Sequence, residues 1–167
     1  MLRLLLGAVA LTVLATPVLA QNLALVGPDG QAVTLTAAEL AALPRQTIAF
    51  AGHGESHVYE GPLLIDVLAK AGAPTGKALR GPEMADVVLV EANDGYAVAL
   101  GLAEADPGTR ANRIILADRA DGAPLAAKDG PFKLVVEGDL RPARSARMVA
   151  RITVMRLGGA AAASHTH

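Results

Sequence analysis

The chain has 167 residues, with 15 Lys plus Arg against 16 Asp plus Glu and a formal net charge of −1. That near-neutrality argues against a nucleic-acid partner, which requires a clustered basic face. Cysteine is absent, so the fold must be held by packing alone, without disulfides.

The first twenty residues carry one cation at Arg3, an apolar run from Leu4 to Ala15, then Pro17 and small residues ending at Ala20. This pattern predicts a secretory signal over residues 1–20, cleaved after Ala20. The apolar run is short of the ~20 residues a membrane span needs, so no span is expected in the mature chain. A single Arg rather than a twin-Arg pair predicts export as an unfolded chain. No cysteine follows Ala20 to receive a lipid. The mature protein is therefore expected in the periplasm or outside the cell. Residues 21–157 are long enough for one domain, since about two-thirds of the unfolded surface is buried at roughly this size.

Short alternating or apolar runs then follow one another. The strand candidates are 22–27, 32–36, 46–52, 57–61, 86–92, 96–100, 113–118, 132–138 and 146–157. Turn chemistry separates them at 28–30, 93–95 and 121–124. Residues 90–98 read as a hairpin, with Asp94 and Gly95 suited to positive φ. A helix is predicted after Thr36, where Thr36 and Glu39 form a capping box and Pro44 is the stop. A second is predicted from Pro62 to Ala71. Pro62 suits its first position, Leu64, Val67, Leu68 and Ala71 share one face, and Gly72 suits its end. Residues 158–167 show no packing pattern and read as a flexible tail. The His165 and His167 pair there is either a loose copper or zinc catcher or a plain chain end. Strands outnumber helices and are not followed by them regularly, so the fold class is α+β with a mixed, mostly antiparallel sheet.

The stretch "GHGESHVYEGP" (52–62) concentrates polar chemistry. His53 and His57 are four apart, but Gly52 and Gly54 oppose a helix, and on a straight strand they would stand about 13 Å apart. Joint ligation of zinc or copper by His53 and His57 needs a bend at Gly54; the alternative is polar lining. Tyr59 and Tyr96 are either packed with one hydroxyl bond each or part of a pocket. Asp94 suits a turn. Arg141, Arg144, Arg147 and Arg151 form a cationic run, which is a solvated edge or an anion site. In the anion reading Arg144, Arg147 and Lys133 are the gripping residues, because guanidinium groups hold oxyanions in two-pronged fashion.

Four segments occur together in a recognisable order: "YEGPLLIDVLAKAGAP" (59–74), "VEANDGYAVALGLAEAD" (90–106), "IILADRADGAPLAAKDGPFKLVVEGD" (114–139) and "RPARSARMVARITV" (141–154). Over residues 45–155 the chain thereby resembles the oxidoreductase molybdopterin-binding domain of the sulfite-oxidase type. The resemblance implies an α+β sheet whose loops surround molybdenum held by a pterin dithiolene and one protein cysteine, transferring oxygen or electrons to a small substrate. It makes His53, His57, Tyr59, Asp94, Tyr96, Lys133, Arg144 and Arg147 the residues around the cofactor pocket.

Three departures accompany the resemblance. The cysteine position corresponds to Phe50, within one residue, and neither Phe nor Ala replaces a soft thiolate on molybdenum. The single-Arg signal implies a chain that crosses unfolded and so without a preassembled cofactor. Lys133 and Glu137 stand where the family often has Arg and Pro, and a glutamate beside a pterin phosphate would repel it. Three readings follow. In one the protein is a non-catalytic accessory module that binds a small anion, or a periplasmic or membrane protein partner, and carries no molybdopterin. In another it is an active periplasmic molybdopterin-dependent oxidoreductase. A zinc- or copper-binding role through His53 and His57 is the third.

Overall fold

The computed structural model describes residues 21–52 and 54–157. In chain order the elements are β1 (Asn22–Val26), β2 (Ala32–Thr36), α1 (Ala37–Ala41), β3 (Arg45–Gly52), β4 (Glu55–Pro62), α2 (Leu64–Ala69), β5 (Val87–Ala92), β6 (Ala97–Gly101), β7 (Ile114–Ala117), β8 (Arg119–Ala120), β9 (Ala123–Pro124), β10 (Lys133–Val136) and β11 (Val149–Met155). Short 3₁₀ turns at Gly76–Ala78, Gly81–Ala85, Leu102–Ala105 and Pro142–Arg144 interrupt the connections. The architecture is α+β, with sheets mostly antiparallel and few short helices.

A five-stranded sheet has the order β2-β1-β11-β5-β6, in which only the β1–β11 pair is parallel. A four-stranded sheet runs β3-β4-β8-β9, and β7 pairs with β10 in a ribbon between them. Alternation decides which residues of the large sheet point inward: Leu23 and Leu25 of β1, Val88 and Val90 of β5, and Ile152 and Val154 of β11 are buried together. All four residues of β7 are buried, because both of its faces are covered. Ile114 and Leu116 join the main core, while Ile115 and Ala117 join a smaller one with Ile48, Phe50, Tyr59 and Val135. The second core lies beneath a cleft that Phe50 and Tyr59 help line.

The capping box forms as its sequence predicts: Glu39 N–H donates to Thr36 Oγ1 at 3.2 Å, and Thr36 N–H donates to Glu39 Oε2 at 2.8 Å. The second helix begins later than expected. Pro62 ends β4, paired with Arg45, and Leu63 is still extended, bridging to Ile115. Long-range strand pairing thus overrides the local preference of Pro62 for a helix start. Gly72 does reverse the chain after α2, at φ +81°.

Two turns also differ from expectation. In the β5–β6 connection only Gly95 takes a positive φ (84°); Asp94 keeps a negative one and its carboxylate accepts the Tyr96 N–H at 3.0 Å, an Asx turn. Residues 121–124, read as a turn alone, are half of a small hairpin. Asp121 and Gly122 have φ of 51° and 77°, the two-residue geometry that matches strand twist, and the hairpin docks on β4 through Tyr59 and Glu60. No helix of the described residues is long and apolar enough to cross a membrane.

Candidate functional site

Four segments converge on one cleft of about 790 Å³: the tip of the β3–β4 hairpin, the β5–β6 turn, the loop and strand from Lys128 to Lys133, and the irregular segment from Arg141 to Arg147. Its floor is Phe50 and Tyr59, neighbours in the smaller core. Tyr59 is buried, and its hydroxyl accepts from Lys133 Nζ at 3.1 Å. The same ammonium lies 4.8 Å from the Tyr59 ring centroid and 3.6 Å from Asp129 Oδ1. Lys133 is therefore committed to the floor by a hydrogen bond, a cation–π contact and an ion pair.

His57 lines the cleft edge-on to Tyr59, with ring centroids 6.0 Å apart. Its Nδ1 is 2.6 Å from Asp121 Oδ2, and Asp121 Oδ1 accepts the Val58 N–H at 2.8 Å. The hydrogen bond with Asp121 raises the His57 pKa above its ordinary value, with Glu55 adding to it. Asp121 is held below the usual carboxylate range by the Val58 amide and by His57. Tyr96 is half-exposed and its hydroxyl donates to Ala143 O at 2.6 Å, which joins the β5–β6 turn to the arginine segment.

Within that segment the arginines divide. Arg144, expected to grip an anion beside Arg147, does not line the cleft. Its guanidinium makes two bonds to Asp139, at 2.9 and 2.6 Å, and reaches Glu104 at 3.2 Å, contacts that hold its proton still more firmly. The 3₁₀ turn covers only Pro142–Arg144, with Arg141 before it in extended backbone and Arg147 beyond it in an irregular bend, so the direction taken by Arg144 does not carry over to those two. Arg141 and Arg147 line the cleft, as does Lys128. Among the described residues none of these three has a carboxylate partner within 4.0 Å.

Met148, next to Arg147, has a left-handed φ of 51°, a conformation that costs of order 1 kcal/mol or more for a residue with a side chain. Its N–H donates to Asp129 O at 2.9 Å and its carbonyl accepts from Asn93 N–H at 3.0 Å. One strained residue thus ties three walls of the cleft together.

The cleft therefore gathers His57, Tyr59, Asp94, Tyr96, Lys133 and Arg147 of the residues singled out from sequence. His53 lies outside the described residues, as do residues 1–20 and the tail from 158 with His165 and His167. The chain does turn at Gly54, where Gly52 pairs with Glu55 and Gly54 has φ +87°. Among the described residues no three His, Asp or Glu side chains converge as a metal site. Glu137, expected to repel a phosphate, is not at the cleft. It is bound to Arg113 at 2.8 and 3.0 Å, and that pair lowers its pKa.

Sequence reasoning missed Asp121, Lys128 and Asp129. The Asp-Gly pair at 121–122 marked a turn, but nothing local says that a turn 64 residues away will meet His57.

The model of the oxidoreductase molybdopterin binding domain matches residues 15–158. Among solved structures, the sulfane dehydrogenase SoxCD from Paracoccus pantotrophus is similar, with a TM-score of 0.62 and 19% identity. The likeness covers 81% of this chain and 38% of that one, so the present chain spans well under half of that protein. At this identity the likeness is one of fold. No curated protein matches the sequence significantly.

Proposed function

The chain belongs to the oxidoreductase molybdopterin binding domain family, and on that footing we propose that it is an exported, non-catalytic member whose cleft binds a small anion. The observation that carries this reading is the set of three cations, Lys128, Arg141 and Arg147, lining one concavity without carboxylate partners among the described residues. Two guanidinium groups can each offer a forked pair of N–H donors to an oxyanion. Lys133 and Tyr59 provide the floor below them, and Met148 holds the walls in register. The signal-like residues 1–20 support release into the periplasm or beyond. A periplasmic or membrane protein presenting an anionic group would meet the same cations.

The family's metal does not fit the donor set. Phe50 is in the cleft floor, and no lining residue carries sulfur, nor does the chain contain cysteine. A molybdenum centre in this family takes a soft anionic ligand from the protein, whereas the cleft lining offers only the harder oxygen and nitrogen donors. The cations do suit an anionic ligand, with or without a ring system above Tyr59.

Elemental analysis of untagged protein from its native periplasm tests this, alongside calorimetric titration with sulfate. The expected results are no stoichiometric molybdenum, and sulfate binding that is lost in the R141A/R147A double variant. Stoichiometric molybdenum would overturn the proposal in favour of an active oxidoreductase. Zinc or copper that disappears in H53A/H57A would instead assign a metal-binding role to the hairpin tip.

A further inference from the structure

We infer that the cleft takes up its anion together with one proton, received by His57 at Nε2, so that a small oxyanion is held at neutral or acid pH and released as the surroundings turn alkaline. This rests on the anion-binding reading of the cleft and adds what controls it.

Hydrogen-bond direction fixes the tautomer of His57. The Asp121 carboxylate can only accept, so at 2.6 Å the Nδ1 of His57 must be the donor. That fixes the neutral ring as the Nδ1–H tautomer and leaves the lone pair on Nε2. Asp121 is itself fixed, since its other oxygen accepts the Val58 N–H at 2.8 Å and its backbone sits in the tight turn with Gly122. Asp121 does not line the cleft, whereas His57 does. Above its pKa the ring therefore offers a lone pair, which repels an oxyanion. Below it the ring offers an N–H donor and a positive charge.

The charged surroundings of the ring are specific. On β4, Glu55 Oε2 is 3.6 Å from Nε2, beyond hydrogen-bond length, and Tyr59 presents a ring edge. On β3 the residue opposite is Phe50, and the only charge of that strand, Arg45, is at its far end, bound to Glu60 and Asp118. On the β8–β9 hairpin, Asp121 faces the ring and Arg119 donates to its own turn at Gly122. Across the cleft are Asp94, the Asp129–Lys133 pair and the three open cations. Asp121 and Glu55 both raise the pKa of His57, which brings its titration toward neutral and alkaline pH. Among the described residues His57 is the one imidazole lining the cleft, and imidazole is the side chain whose ordinary range of charge change lies near neutral pH.

Sulfate is the probe, because its own charge is constant over this range. Calorimetric titration at several pH values should show Kd rising about tenfold or more from pH 6 to pH 9 in the wild type, and changing by less than about twofold in H57Q. Saturating sulfate should also raise the pKa of His57 measured by NMR on the ring, a readout that needs no variant. If H57Q keeps the wild-type pH profile, or sulfate leaves the ring pKa unmoved, the inference is wrong while the anion site stands. Should the wild type bind no sulfate at any pH, or R141A/R147A bind as well as the wild type, the anion site itself falls and this inference with it.

Discussion

Replacing Gly61 by alanine should destabilise the protein more than its single added methyl suggests. Gly61 is near the end of β4, where that strand crosses β7, and it is buried. A Cβ there would meet Leu116 O at 2.1 Å, and Leu116 C and Ala117 Cα at 2.7 Å. Contacts under 3.0 Å are essentially never made by real Cβ atoms, so the strands must part by about 0.9 Å. The opposing atoms are backbone of a strand buried on both faces, so no side chain can swing aside. Overpacking usually costs 1–3 kcal/mol, and this geometry places the loss near ~3 kcal/mol. For a domain of this size that is a fall of about 10 °C in Tm. Two residues upstream, Tyr59 would move away from Lys133, opening the 3.1 Å bond at the cleft floor. The chain has two tyrosines and no tryptophan, so intrinsic fluorescence reports that displacement directly. Thermal unfolding followed by circular dichroism supplies the stability. Gly52→Ala is the control: its nearest neighbour would be Pro142 Cβ at 3.5 Å, an ordinary contact, and a change within about 0.5 kcal/mol is expected. A G61A protein melting within about 1 °C of the wild type would refute the close-approach argument.

Asp86 is buried with both carboxylate oxygens lacking hydrogen-bond partners, and Arg156 Nε is 3.6 Å away. Because Arg156 is partly exposed and also reaches Asp29 at 3.3 Å, D86L removes a desolvated charge without orphaning the arginine, and should raise stability by about 1 kcal/mol. A drop in Tm would show that the Asp86–Arg156 attraction outweighs desolvation. Stability should also depend on pH from both sides. The lowered pKa values of Asp121, Glu137 and Glu39 give stability that is present above their ordinary values, near 4, and lost as pH falls through the folded ones. The raised pKa of His57 gives stability that is complete below about 6.5 and lost as pH rises through the folded value. Tm measured from pH 3 to pH 9 should decline at both ends, and H57Q should remove the alkaline decline. An unchanged alkaline decline in H57Q would assign it to another group.

The nine strands read from alternation all exist, within a few residues at their ends, because side-chain direction along a strand is a local property. The same holds for the capping box at Thr36, whose partners are three residues apart. Pro62 shows where locality stops. Its own preference favoured a helix, and pairing with Arg45 made it strand.

The cleft divides along the same line. The segments that sequence order singled out meet at one cleft: the hairpin tip with His57 and Tyr59, the turn with Asp94 and Tyr96, and the arginine run. Sequence order did not say that Arg144 would be turned toward Asp139 and Glu104 while Arg141 and Arg147 face the cleft, because an irregular segment has no repeat from which direction can be read. Nor did it place Glu137 on Arg113, or Asp121 behind His57. What the sequence by itself determined is the nine longer strands, the family and the absence of a thiolate, all of which depend on residue identity and spacing. The tertiary structure alone decided which charges neutralise one another and which are left facing the cleft. That depends mostly on contacts between residues far apart in sequence, such as His57 with Asp121 and Arg144 with Glu104, where hydrogen bonds form only at about 3 Å and the fold decides which groups come that close.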